Sequence, residues 1–557
     1  MLLPGPASDQ ARALAGALGL SVTVADVLHR RGLSDLDALR RWLEPRLAHL
    51  SAPDAMLDRA PAARRIADAV RAKERIVVFG DYDCDGITAT AVLTEFLRGV
   101  GAEVVPLLAS RWSGGYGLSD PAVDRVLAAG ASLLITCDCG SSDAARLARV
   151  RAAGLDAVVI DHHLVPPEPL PVVAFLNPHR PGCGFAFKGL ASCGLALSVV
   201  AAVRAELGAG GDLRPLLDLV AIGTIADVAP LDGDNRPLVR TGLDVLARAG
   251  RPGVAALAAV GGLDLARGLG ARDVAFRFAP RINAPGRIGA PDVALALLLE
   301  RDPARARALA TEVEQAQVRR REIEKGVLDA ALAQVAASDW ADDPGLVVAG
   351  QGWSQGVVGI VAGRLASRLG KPTVVIGLDG ATGRGSARAP RGFRLYDALA
   401  ASRETLVGFG GHQAAAGVEV EAERVEAFRA RFAAACEAGT DGHAGAEEPE
   451  AHVLLDAADD PARVVADLAR LEPCGEANPA PRIALAGALV RSAREVRGGH
   501  LKLTLDVGGR SVGGFGPELG ARAATLRGHV HVVGRLRRDG YRGGDAVEIE
   551  VERIEPA

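Results

Sequence analysis

The sequence predicts an α/β protein: a doubly wound parallel sheet, a long connecting helix, a second α/β lobe and a C-terminal β-barrel. Three observations predict it. Between residues 75 and 160, short β-rich runs alternate with Ala-rich stretches of helical length, the pattern of a parallel sheet with crossover helices. Residues 302–337 run without a break and open on Asp302-Pro303, a cap followed by a first-turn proline. After residue 450, short alternating runs are separated by Gly-rich turns, which suits a small barrel.

In chain order, residues 1–50 read as short helices ending near Pro45. Then come IVVFG (76–80) as strand, 86–101 as helix, EVVPLL (103–108) as strand and 120–130 as helix. LLITC (133–137) and DAVVI (156–160) are strands on either side of a helix at 143–153. Ligands of such sheets bind outside the carboxyl ends of the strands. Residues 190–330 read as mostly helical. The second lobe starts near 345 with LVVAG, a helix at 356–369 and TVVIGL, and EAGTDGHAGAEEPE (437–450) reads as a linker.

Composition sets limits. The 557 residues are 49% hydrophobic, enough to build sizeable cores. A net charge of −4 argues against a simple basic nucleic-acid binder. Only five of the 64 basic residues are lysine, the rest being arginine, whose fork suits phosphate. Seven cysteines without paired spacing predict a reduced, cytoplasmic protein. The N-terminus has no basic region followed by an apolar core, so no signal peptide is expected. No run of 18 residues is apolar enough to span a bilayer, so no membrane partner is expected.

Four acidic motifs fall where a site is expected. GDYDCDG (80–86) follows IVVFG, TCDCG (136–140) carries Asp138, DHH (161–163) follows AVVI, and GTIADV (223–228) carries Asp227. One aspartate after a strand is ordinarily a turn former or a cap. Three such motifs at successive strand ends, plus Asp227, point to a site. Asp83 and Asp85 alternate and face one site if the segment stays extended. Clustered carboxylates repel and need cations. Carboxylate oxygens with an imidazole nitrogen suit two ions of Mn²⁺ or Mg²⁺, which activate water and stabilise a leaving oxygen. Cys84, Cys137 and Cys139 read as small core residues.

These motifs resemble the DHH phosphoesterase superfamily. With GTIADVAPLDGDNR (223–236), PRINAPGR (280–287), WSQGVVGIVAGRL (353–365), GSAR (385–388) and FGGHQAAAG (409–417), the chain is similar, from about residue 50 onward, to the RecJ family of single-stranded-DNA-specific 5′→3′ exonucleases. The resemblance implies an N-terminal helical segment (1–50), a DHH catalytic domain (51–300), a connecting helix (301–338), a DHHA1 domain (339–436), a linker (437–450) and an OB-fold domain (451–557). It implies a two-metal site with Asp81, Asp83, Asp85, Asp138, His162 and Asp227 as ligands. Asp83, Asp138 and His163 are expected to be catalytic, with His163 facing the scissile phosphate or the second metal.

Arg111, Arg281, Asn283, Arg287, Ser386, Arg388 and His412 lie in what read as glycine-rich loops suited to a phosphate backbone, and are expected to bind substrate. Pro285 stands where the family usually has alanine, so the backbone tolerates the missing N–H or the Arg287 contact shifts. The barrel offers Arg491, Arg494, Arg497, Lys502, Arg535, Arg537, Arg538 and Arg542, with Phe515 and Tyr541 for stacking. The reading is a monomeric repair exonuclease acting on single-stranded DNA. The resemblance suggests a single-strand-binding protein and a RecQ-type helicase as partners. The alternatives are a DHH-family oligoribonuclease or cyclic-dinucleotide phosphodiesterase, or an inactive single-strand-binding relative.

Overall fold

The computed structural model describes residues 3–411, 413–438, 452–540 and 542–557. The first lobe is built on strands β1 (Arg75–Gly80), β2 (Glu103–Leu108), β3 (Leu133–Cys137), β4 (Asp156–Ile160) and β5 (Ala174–Leu176). All pair in parallel, in the order β2-β1-β3-β4-β5. The strands are nearly continuous apolar runs because helices cover both faces. Ile76, Val78, Ile135 and Val158 pack under the helices Arg59–Arg71, Cys84–Gly99 and Ser192–Leu207. Val77, Phe79, Leu134 and Val159 pack under Asp120–Ala128 and Ala144–Ala152. The order reverses between β1 and β3, which opens a crevice at their carboxyl ends.

The helix Pro303–Ala336 is 34 residues long, about 50 Å, with Asp302 capping Arg305 N–H at 2.8 Å. Ala306, Ala310 and Val313 belong to the first lobe's core, and Val327, Ala331 and Val335 to the second's. Between them Glu324 is buried and pairs with Arg320 of its own helix and with Arg364 of the second lobe.

The second lobe is a mixed sheet of β6 (Leu346–Gln351), β7 (Thr373–Asp379), β8 (Thr382–Arg388), β9 (Gly408–Gly411) and β10 (Ala415–Glu421), in the order β6-β7-β8-β10-β9. The expected linker falls, from residue 439, outside the described residues, as does Tyr541. The C-terminal strands are β11 (Val453–Leu454), β12 (Ile483–Val496), β13 (His500–Val507), β14 (Arg510–Gly516), β15 (His529–Arg538) and β16 (Val547–Pro556). β12 also pairs with β15, which closes the barrel, and β14 runs parallel to β16.

The N-terminal helices are part of the barrel domain's core. Leu14, Val24, Leu28 and Leu39 pack with Val464, Leu485, Leu503 and Ile549. Asp459 accepts from the N–H groups of Val22 (3.0 Å) and Thr23 (2.7 Å), and Asp467 from that of Ser21 (2.6 Å). These carboxylates thus cap the helix Val22–Arg30 from across the chain. Arg236, fully buried in the first lobe, donates to the carbonyls of Trp42, Leu471 and Arg470 and stacks 3.5 Å from the Trp42 ring. One guanidinium therefore rivets three segments of the chain together.

Two local expectations are corrected. PRINAPGR is a helix, Ala279–Ile288, with Pro285 inside it, and GSAR is the end of strand β8. The glycines there suggest loops only when the packing around them is unknown. Pro285 takes an N–H from the helix, but its own carbonyl still accepts from Gly289 at 2.8 Å, so the turn closes after it.

Candidate active site

Three strand ends and three helix ends converge at the crevice. After β1 the chain does not stay extended. Asp83 caps the helix Cys84–Gly99, accepting from the N–H groups of Asp85 (3.0 Å) and Gly86 (3.2 Å). Asp83 and Asp85 still reach one site, because the turn brings the second helical residue round beside the cap. A Cβ on Gly86 would lie 2.6 Å from the backbone of Asp81, so only glycine fits that turn. Asp85 accepts from the N–H groups of Ser192 (2.6 Å) and Cys193 (2.9 Å) at the start of the facing helix. Asp138 follows β3 with φ +63°, a left-handed conformation that costs a non-glycine residue about 1–2 kcal/mol. Asp227 ends the helix Leu217–Ala226.

His162 is the hub. Its Nε2 lies 3.2 Å from Asp138, 3.7 Å from Asp227 and 4.0 Å from Asp85. Three donor groups, Asp138/His162/His163, Asp85/His162/Asp227 and Asp81/Asp83/Asp138, each bring their ligand atoms within 4.8 Å of one another. His162 Nε2 and Asp81 Oδ2 are buried without a hydrogen-bond partner. Burial, and then its aspartate neighbours, holds the carboxyl of Asp138 well above the ordinary range. Burial and Asp83 do the same to Asp81, and burial with Asp85 and Asp83 raises Asp227 to about 8. Burial pushes His162 down. Orphaned donors of this hard oxygen–imidazole type among mutually repelling acids fit a site for divalent cations.

His163 differs from its neighbour. Burial lowers its pKa, but the 2.8 Å hydrogen bond from Nδ1 to Asp161, with that residue's charge, outweighs burial and raises it to about 9. Asp161 in turn is pushed up by burial but pulled down to about 2 by His163 and by hydrogen bonds from Ser141. The Tyr116 hydroxyl donates to the Asp138 carbonyl at 2.7 Å and sits 3.1 Å from the His163 ring. Asp161 and Tyr116 were not among the expected site residues. Asp161 is the first letter of the DHH motif, and Tyr116 lies in the Gly-rich segment after Arg111, so both had a local signal.

Beside the acids lies a cleft of about 590 Å³ between the lobes, lined by Tyr82, Arg111, Tyr116 and Arg287 from the first and by Ser386 and Arg388 from the second. Arg388 donates to Ser386 Oγ (2.9 Å) and the Ala387 carbonyl (2.8 Å). Arg287 donates to the Gly356 carbonyl across the lobe boundary at 3.2 Å. A Cβ on Gly356 would lie 1.8 Å from the Arg287 carbonyl oxygen, so only glycine allows the two lobes to touch there. The guanidinium of Arg111 lies 4.4 Å from the Tyr82 ring centroid. Among the described residues none of the three arginines pairs with a carboxylate. Burial lowers the pKa of Arg388, and burial with the neighbouring Arg111 and Arg320 lowers that of Arg287 to about 10.

Two expected substrate residues do not reach this cleft. Arg281 is buried on the opposite side of its helix, where it makes a double ion pair with Glu314 (2.5 and 3.1 Å) and donates to the Val260 carbonyl. Its charge serves packing against the long helix. Asn283 is half-buried on the same helix and does not line the cavity. His412 lies outside the described residues.

The DHH family N-terminal domain matches residues 75–224, the DHHA1 domain residues 342–438 and the RecJ OB domain residues 453–553. The chain is 34% identical over 504 residues to the single-stranded-DNA-specific exonuclease RecJ of Bacillus subtilis, covering 90% of this chain and 63% of that protein. It is 38% identical to the Escherichia coli protein of the same name, covering 67% of this chain and 68% of that one. It thus spans about two thirds of the length of these relatives. The crystal structure of Thermus thermophilus RecJ with Mn²⁺ matches with a TM-score of 0.84 at 31% identity, covering all of this chain and 79% of that one. The same protein with Mg²⁺ gives 0.78 at 30% identity, covering all of this chain and 78% of that one.

Proposed function

Because the chain belongs to the RecJ family of single-stranded-DNA-specific exonucleases, we propose that it removes nucleotides one at a time from the 5′ end of single-stranded DNA. One observation carries the reading: a cluster of acids that cannot all ionise alone lies beside a cleft lined by three arginines that, among the described residues, have no acid partner. A phosphodiester bridging metal-held acids and free guanidinium groups satisfies both.

Asp81, Asp83, Asp85, Asp138, His162 and Asp227 would hold two ions of Mn²⁺ or Mg²⁺, which supply an activated water and charge neutralisation at the leaving oxygen. His163 donates a hydrogen bond to the scissile phosphate, and Asp161 and Tyr116 fix its ring. Arg111, Arg287 and Arg388, with Ser386, grip the 5′-terminal phosphate. Holding the end at a fixed distance from the acids makes cleavage exonucleolytic. The reading carries with it a cytoplasmic monomer that works with a single-strand-binding protein and a RecQ-type helicase. Among the described residues no single helix is long and apolar enough to cross a membrane.

The test is digestion of a 5′-phosphorylated single strand, the matching blunt duplex and a dinucleotide, each with Mn²⁺ and with chelator. Stepwise 5′-mononucleotide release from the single strand, dependent on Mn²⁺, is expected. Cleavage confined to the dinucleotide, or none at all, overturns the reading.

A further inference from the structure

Phe276 is 66% exposed, although Phe278, two residues on, is buried and already anchors the segment. It lies on a single π-helical turn, Val274–Phe278, that leads into the helix carrying Arg287. Such turns re-aim side chains and recur at functional sites. Exposed on the same segment are Arg272, whose guanidinium lies 6.0 Å from the Phe276 ring centroid, and Arg277, which makes no ion pair among the described residues.

Arg272 reaches across to the barrel, donating to both oxygens of Glu550 at 2.9 and 3.1 Å. Glu550 on β16 is the register partner of Phe515 on β14, and Phe515 that of Lys502 on β13. Register partners project to one face of a sheet. The Arg272–Glu550 pair therefore has an aromatic ring on either side, one from the catalytic lobe and one from the barrel. Glu550 is also paired with Arg537 at 2.7 Å, so the seam does not repel a phosphate backbone.

We propose that Phe276 and Phe515 form a base-stacking station for single-stranded nucleic acid at the seam between catalytic lobe and barrel. The inference rests on the functional reading above and adds a segment of the substrate's path. Aromatic faces interleaved with basic side chains bind single strands without reading sequence. Arg272, Lys502 and Glu550 are paired internally, so the share of the affinity that comes from stacking on the two rings does not depend on salt.

The experiment uses the full chain under chelation, so that no strand is cut. Binding is measured by anisotropy for a 5′-phosphorylated trinucleotide and for a single strand of about 20 nucleotides, longer than one barrel's site of roughly 4–16. Phe276→Ala is expected to weaken the long strand on the order of tenfold, to leave the trinucleotide unchanged and to keep the slope of log affinity against log salt. Phe276→Trp is expected to restore the affinity, and 2-aminopurine placed along the strand to lose its quenching at one position only in Phe276→Ala. Unchanged long-strand affinity, or an equal loss on both strands, overturns the station. Failure of the underlying reading shows separately, as a wild-type chain that binds no single-stranded DNA.

Discussion

The cleft and the barrel both present arginines, but three of the four that line the cleft stand in different company from most of those on the barrel, the fourth, Arg384, pairing with Glu419 at 3.7 Å. In the cleft, Arg111, Arg287 and Arg388 have no carboxylate partner among the described residues and are held by carbonyls, a hydroxyl and an aromatic ring. On the barrel, Lys502 pairs with Glu548, Arg535 with Glu552, Arg537 with Glu548 and Glu550, Arg491 with Asp506 and Arg542 with Asp539. Only Arg494, Arg497 and Arg538 of the expected barrel cations are left without a carboxylate among the described residues. Unpaired, partly desolvated cations bind phosphate strongly, whereas cations already paired must give up a partner first. The acid side of the cleft follows the same rule with the sign reversed. Sites of tight binding are where charge is left uncompensated, and counting arginines does not find them.

The largest effect tests the acid half. Asp138→Ala is expected to lower Mn²⁺-dependent cleavage by at least on the order of a thousandfold, with single-strand affinity within about twofold of wild type. Next, Arg388→Ala is expected to weaken a 5′-phosphorylated oligonucleotide by roughly 10–100-fold and a 5′-hydroxyl one hardly at all. A uniform loss on both ends would place the arginine on the strand rather than on its terminus. Asp161→Asn is expected to slow turnover by about 10–100-fold. In the metal-free variant, histidine NMR should find His163 titrating well below its wild-type value of about 9, because the largest raising contribution is gone while burial and the weaker pull of Asp227 and Asp83 remain. In the wild type the Asp161–His163 contribution to stability is full between pH 3.8 and 6.5. It is lost as pH falls through about 2 and as it rises through about 9. The smallest effect contrasts two barrel cations. Arg494→Ala should reduce the slope of log affinity against log salt by about 0.7, and Arg537→Ala should leave it unchanged.

What was legible in the sequence was what local periodicity encodes. Strands β1 to β4 of the first sheet, the long helix with its Asp302 cap and the five long barrel strands follow from alternation and caps. The grouping of the acids after β1, β3 and β4 was legible because strand ends in a parallel sheet converge, whereas Asp227 reaches them from the end of a helix. β5 is three residues long and carries no period. Arg281 was misread because its partner, Glu314, is 33 residues away on another helix. The N-terminal helices gave no sign of belonging to the barrel, since their capping carboxylates lie more than 430 residues along the chain. Polarity is local, but satisfaction of polarity is not.

That capping arrangement has a consequence for how the molecule is made. Ser21 and Thr23 leave the ribosome well over four hundred residues before Asp467 and Asp459, so the helix they begin waits with its apolar stripe uncovered. The catalytic lobes, built from nearer neighbours, are able to assemble in the meantime. The last contact to form is then the one between the early helices and the late barrel. Loop-closure entropy grows only slowly with length, by about 0.6 kcal/mol per doubling, so the long wait adds little to the thermodynamic cost of that contact. Its burden is kinetic, a period of exposure that a shorter circuit through the chain would not impose.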